Sequence, residues 1–125
     1  MTDALYREHI LDLYKNPRNV GELKGATHRH REFNPLCGDD IEMQVLVKDN
    51  QVQDIKFQGH GCALSIAASS LLTEKVKKMT INEIMKLTKD DVVEMMGISM
   101  GPVRIKCALL PLETLQKTVM KHAGN

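Results

Sequence analysis

The sequence predicts an α+β fold, a small antiparallel sheet packed against several helices, and three observations carry that reading. Apolar residues alternate with polar ones over 41–48, and a second short run, 52–57, returns across Asp49-Asn50 as a hairpin would. From residue 63 onward the apolar spacing turns helical, punctuated by two helix-start signals and a glycine stop. A separate helical stripe opens the chain, so strands and helices are segregated rather than alternating.

Residues 2–15 form that first stripe, with Leu5, Tyr6, Ile10, Leu13 and Tyr14 at helical spacing. Thr2 or Asp3 caps its start, and Asn16-Pro17 ends it, because the residue before proline avoids the α region. Asn19-Val20-Gly21 continues as a loop. Residues 26–33 are polar and weakly patterned, and offer at most an edge strand. Ile41, Met43, Val45 and Val47 then alternate with Glu42, Gln44 and Lys48 as a half-buried strand, and Val52 to Phe57 is its partner. Residues 63–78 read as a helix whose small residues allow close approach to the sheet. Thr80-Ile81-Asn82-Glu83 is a capping box for a short helix carrying Ile84 and Leu87. Thr88 to Asp91 starts another, carrying Val92, Val93 and Met96 and stopping at Gly97. Residues 98–102 form a loop, and the last helix holds Leu109, Leu110, Leu112, Leu115 and Val119, with Pro111 expected in or near its first turn.

Composition narrows the function. The 125 residues suit one domain, 1–125, with a core of Leu, Ile, Val and eight Met, since aromatics are only 3%. A net charge of +1 argues against bulk binding to nucleic acid or an anionic membrane, and no stretch approaches a spanning helix. A cytoplasmic setting is expected, where thiols stay reduced and an odd number of cysteines is no obstacle.

The chemistry concentrates on the three cysteines. Cys37 lies in the turn Asn34-Pro35-Leu36-Cys37-Gly38-Asp39. Cys62 follows Gly59-His60-Gly61 and opens a helical pattern. Cys107 follows Arg104-Ile105-Lys106 and precedes another. A lone free cysteine is often a small buried hydrophobe; three at element boundaries point instead to one site. Helix N-termini at Cys62 and Cys107 would favour the thiolate that binds metal or attacks sulfur. Asp39, two residues after Cys37, can be aimed by the same turn. Gly-Asp-Asp is also ordinary turn chemistry, and residue types alone barely decide between Asp39 and Asp40. Three soft thiolates and one hard carboxylate make a four-ligand metal or cluster site with one weak ligand. His60, between glycines, is a further candidate ligand, although a loop histidine is more often merely exposed.

Asn-Pro-x-Cys-Gly-Asp, then Gly-x-Gly-Cys-Ala-x-Ser-x-Ala-x-Ser, then Pro-Val-Arg-Ile-Lys-Cys closely resemble the IscU/NifU-type iron–sulfur cluster assembly scaffold family, which includes the SufU branch. Leu5-Tyr6 and Tyr14-Lys15-Asn16-Pro17-Arg18-Asn19 add to the resemblance, which covers nearly the whole chain. It implies a cluster site of Cys37, Asp39, Cys62 and Cys107, with Cys107 as acceptor of persulfide sulfur. It also implies a cysteine desulfurase as sulfur donor, a 2Fe–2S or 4Fe–4S cluster, apo-proteins as recipients, and a monomer or homodimer. Zinc in the same ligand set, serving persulfide transfer alone, is the alternative. Two features depart from the IscU branch. Lys106 stands where IscU members carry His, and Ser99-Met100-Gly101-Pro102-Val103-Arg104 replaces the Leu-Pro-Pro-Val-Lys segment read by an Hsp70-type chaperone. The 44 residues between Cys62 and Cys107 leave no room for the insertion typical of SufU.

Overall fold

A computed structural model describes residues 3–35 and 38–121. Helix α1 (Asp3–Lys15) is followed by β1 (His28–Asn34), β2 (Asp39–Lys48) and β3 (Gln51–His60), then by α2 (Ala63–Val76), α3 (Ile81–Met85), α4 (Lys89–Met96) and α5 (Pro102–Met120). The three strands form an antiparallel sheet in the order β1-β2-β3. Its inner face carries Ile41, Met43, Val45, Val52, Ile55 and Phe57, all essentially inaccessible, and meets Leu72 and Val76 of α2 and Leu112 and Leu115 of α5 in one core.

The hairpin forms where alternation placed it. Asp49 and Asn50 both take positive φ (54° and 63°), the geometry a two-residue turn needs to match strand twist. Val52 breaks the odd-numbered phase of Ile55 and Phe57 yet still faces inward. The register shift at Leu46/Val47 accounts for this: Leu46 pairs with Asp54 and Val47 with Val52, leaving Gln53 as the bulged residue. The capping boxes Thr80/Glu83 and Thr88/Asp91 are both made, and α4 ends on Gly97 at φ 71°.

One open reading is decided and two expectations need correction. The weakly patterned stretch is a full edge strand, β1. Its inward positions are His28, His30, Glu32 and Asn34, so burial alternates without any apolar signal. Helix α2 ends at Val76 rather than near residue 78, because Lys78 takes φ 72° and its N–H turns to the Val52 carbonyl at 2.9 Å. Helix α5 begins at Pro102, a favoured first position, and Pro111 lies in its interior. Cys107 therefore sits in the second turn of α5 and not at a boundary.

Candidate metal centre

The register of β2 and β3 assembles the site. Asp40 pairs with His60 at the open end of the hairpin, which brings Asp39, one residue before, alongside Gly61 and Cys62, one and two residues after. Alternation then separates the neighbours. Asp39 shares a face with its β1 partner Asn34 and with Ile41, and is fully buried. Asp40 points to the other face, where its Oδ2 accepts a 2.7 Å bond from Arg31. His60, the direct partner of Asp40, goes with it and is exposed. The choice between Asp39 and Asp40, open in the sequence, is made by strand parity, and the same parity takes His60 away from the cysteines.

Cys62 is the N-cap of α2, with extended backbone (φ −71°, ψ 168°) and no capping bond from its side chain. Its own N–H donates to Asp39 Oδ1 at 2.8 Å, and its Sγ lies 3.6 Å from Oδ2. A carboxylate from another strand thus takes the part that the third residue of a capping box plays, leaving the sulfur unoccupied by capping. Burial of Asp39 is offset by that N–H and by the positive end of α2. Two glycines permit the approach. A Cβ on Gly59 (φ 134°) would overlap the Asp40 carbonyl, and one on Gly61 would overlap Ser65 Oγ and the Asp39 carboxylate.

Cys107 arrives from α5 and is 5% exposed, against a partly exposed Cys62. Ligand atoms of Asp39, Cys62 and Cys107 all lie within 4.8 Å of one another, close enough to share one ion. Cys37 lies outside the described residues. On either side of it, the Gly38 N–H closes onto the Asn34 carbonyl at 2.8 Å, with Gly38 at φ 72°. A cavity of about 280 Å³ lined by Glu32, Phe33, Asn34, Pro35, Lys106, Leu110 and Glu113 includes the flanks of this turn and the residue before Cys107. Beside it, Lys117 and His30 bind the Glu32 carboxylate at 2.8 and 2.7 Å. These bonds, Lys117 first, hold Glu32 below the usual carboxylate range and Lys117 above its own. Sequence reasoning missed Ser65, whose signal was a serine three residues after Cys62 at helical spacing.

Two cysteine sulfurs and a buried carboxylate meet at one point on an α+β frame, a donor set of the kind that can hold a metal ion. The chain belongs to the family described as the NifU-like N terminal domain, whose profile matches residues 5–125. It is 38% identical over 118 residues to "Iron-sulfur cluster assembly scaffold protein IscU 1" of Archaeoglobus fulgidus, covering 94% of this chain and 76% of that protein. It is 35% identical over 139 residues to "Zinc-dependent sulfurtransferase SufU" of Bacillus subtilis, covering 98% and 94%. A solved structure of FiSufU from Fervidobacterium islandicum AW-1, described as a candidate SUF-system cluster assembly scaffold, superposes with a TM-score of 0.79 at 27% identity, covering 95% and 99%. The SufU alignment is longer than this 125-residue chain, so that relative carries residues this chain lacks. The IscU alignment spans 118 positions for 94% of this chain, which leaves almost no room for such an excess.

Proposed function

We propose that the chain is a scaffold for transient assembly of an iron–sulfur cluster, accepting sulfur from a cysteine desulfurase and passing the cluster to apo-proteins. The observation that carries this is the convergence of Asp39, Cys62 and Cys107 within 4.8 Å in a chain of the NifU-like N-terminal family. Cys37 completes the ligand set in this reading, and the whole chain acts as one domain, a carrier rather than a turnover enzyme. The cluster is its cargo. A hard carboxylate among soft thiolates binds such a cargo less firmly than a fourth cysteine would, which favours release. A reducing compartment such as the cytoplasm keeps the thiols available. The Hsp70-type chaperone is not expected to dock as it does on IscU members, because Met100-Gly101-Pro102-Val103-Arg104 lacks that motif.

Zinc-dependent sulfur transfer is the second reading, favoured by the SufU relative and by Lys106 before Cys107. The same donors suit tetrahedral zinc, with sulfur bonds near about 2.3 Å. Cys107 is proposed as persulfide acceptor on the family resemblance and on the positive charge of Lys106 and Arg104. Of the two described cysteines, the helix-terminus argument belongs to Cys62, which is also the more exposed.

Anaerobic reconstitution with iron, cysteine and a desulfurase, followed by metal analysis and visible absorption, separates the two readings. The scaffold reading expects cluster bands that decay on adding an apo-ferredoxin, and slower decay in Asp39→Ala. Stoichiometric zinc without cluster bands would establish the second reading instead. In the same incubation without iron, peptide mapping should find the persulfide mainly on Cys107; dominant labelling of Cys62 would move the acceptor role there.

A further inference from the structure

Ser65 is the third residue of α2, and its hydroxyl is buried against the sulfur of Cys62. It donates to the Cys62 carbonyl at 3.2 Å and lies 3.9 Å from Cys62 Sγ. The carbonyl does not depend on it, since the Ile66 N–H already serves that oxygen at 3.1 Å. Farther along the same helix, Ser69 and Thr73 bond the carbonyls four residues back at 2.8 Å each, the usual resting place for a helical hydroxyl. Thr73 also reaches the carbonyl three residues back, at 2.9 Å. Ser65, too near the start of α2 to have a helical carbonyl four back, makes a longer bond at three residues and has sulfur as its second neighbour. The absent side chain of Gly61 leaves its hydroxyl and the Asp39 carboxylate bordering one small space.

A hydroxyl carries one proton and turns to suit its partners. While Cys62 is a thiol, its single proton can be donated to Asp39 Oδ2, at 3.6 Å, or to Ser65 Oγ, at 3.9 Å. Metal binding requires that proton to leave, and the sulfur then becomes an acceptor. We propose that Ser65 is a positioning residue for the metal centre, its hydroxyl turning from the Cys62 carbonyl to the Cys62 sulfur when that sulfur is a metal-bound thiolate. The inference rests on Cys62 being a ligand, as proposed above. A hydrogen bond to a ligating sulfur fixes its orientation and draws electron density from it, a lever by which proteins tune metal–thiolate centres.

Cobalt is the probe, because thiolate-to-cobalt charge-transfer bands report the electron richness of the sulfur. In the Co²⁺-loaded full chain, Ser65→Ala should move these bands to lower energy, and chelator competition should show Zn²⁺ affinity roughly tenfold weaker. Ser69→Ala, one turn further on, should leave bands and affinity unchanged, and Ser65→Thr should restore both toward wild type. Unchanged bands and affinity in Ser65→Ala overturn the proposal, even if thermal stability falls. Should the alanine variant not fold, the wild-type protein loaded with NMR-active cadmium decides: a coupling between the Ser65 hydroxyl proton and the metal supports it, and its absence overturns it. Cys62→Ala separates the two levels. Intact charge-transfer bands in that variant remove Cys62 as a ligand and the proposal with it. Weakened bands there, as loss of one thiolate among several would give, with no shift in Ser65→Ala, sink the role of Ser65 alone.

Discussion

Cys62 and Cys107 reach the same point from surroundings that differ in how firmly the backbone is held. The Cys62 corner has no slack: strand pairing runs to Asp40 and His60, Asp39 is locked to the Cys62 N–H, and Gly59 and Gly61 leave no space for a methyl group. The Cys107 side is built from the start of α5, where Gly101, Pro102, Val103 and Arg104 are all exposed and a Cβ on Gly101 would meet nothing within 4 Å. Pro111 loosens it further, because a proline inside the helix has no N–H and one rung of the intrahelical ladder is missing there. One wall of the site is preorganised while the other can yield at modest cost. A centre that must both form and let go is served by that division.

Filling the tight corner should have the largest effect. Gly59→Ala would force a side chain into a positive-φ position against the Asp40 carbonyl, and about 3 kcal/mol or more of stability should be lost. A thermal melt should show a midpoint roughly 10 °C lower. A variant that melts with wild type would mean that the corner is not rigid. Stiffening the yielding wall works in the opposite direction. Pro111→Ala restores a helical N–H and removes a penalty of about 3 kcal/mol, against roughly 2 kcal/mol of buried ring packing. A gain of about 1 kcal/mol is expected, with slower amide exchange over residues 104–110 and slower handover of a reconstituted cluster. Faster exchange, or handover at the wild-type rate, would show that Pro111 is not what loosens α5.

The two walls were also unequally legible in the sequence. The hairpin, the turn at Asp49-Asn50 and the N-cap position of Cys62 could be read because apolar alternation and a Gly-x-Gly turn mark them directly. The start of α5 could not, because Pro102 to Lys106 are mostly exposed and the buried stripe gathers only from Cys107 onward. Proline is common in a first turn, so Pro111 drew the expected start past Cys107, whereas the helix begins at Pro102. Strand β1 was obscured by chemistry rather than position. Its inward His30 and Glu32 are satisfied by one another and by Lys117, and no hydrophobicity pattern registers an ion-paired face. Strand pairing, not residue type, separated Asp39 from Asp40.

That ion-paired face yields the smallest effect and a pH test of how α5 is fastened. Lys117, near the far end of α5, clasps Glu32 on β1, so it ties down the helix whose first turns are loose. Glu32 titrates below its ordinary value of 4.5 in the folded chain, held down first by Lys117 and then by His30. Its contribution is therefore present above that value and lost as pH falls through the depressed folded one. Lys117 is raised above 10.5, so its share is present below that pH and lost as pH rises through the raised value. Between these limits the clasp should act at full strength, although both groups are well solvated and the effect on stability should be slight. Melting wild type and Lys117→Met in parallel should show a small difference at pH 7 that closes on acidification below about pH 4. A difference that persists undiminished at pH 2 would mean that the lysine stem packs α5 onto the sheet, and that its charge does not fasten it.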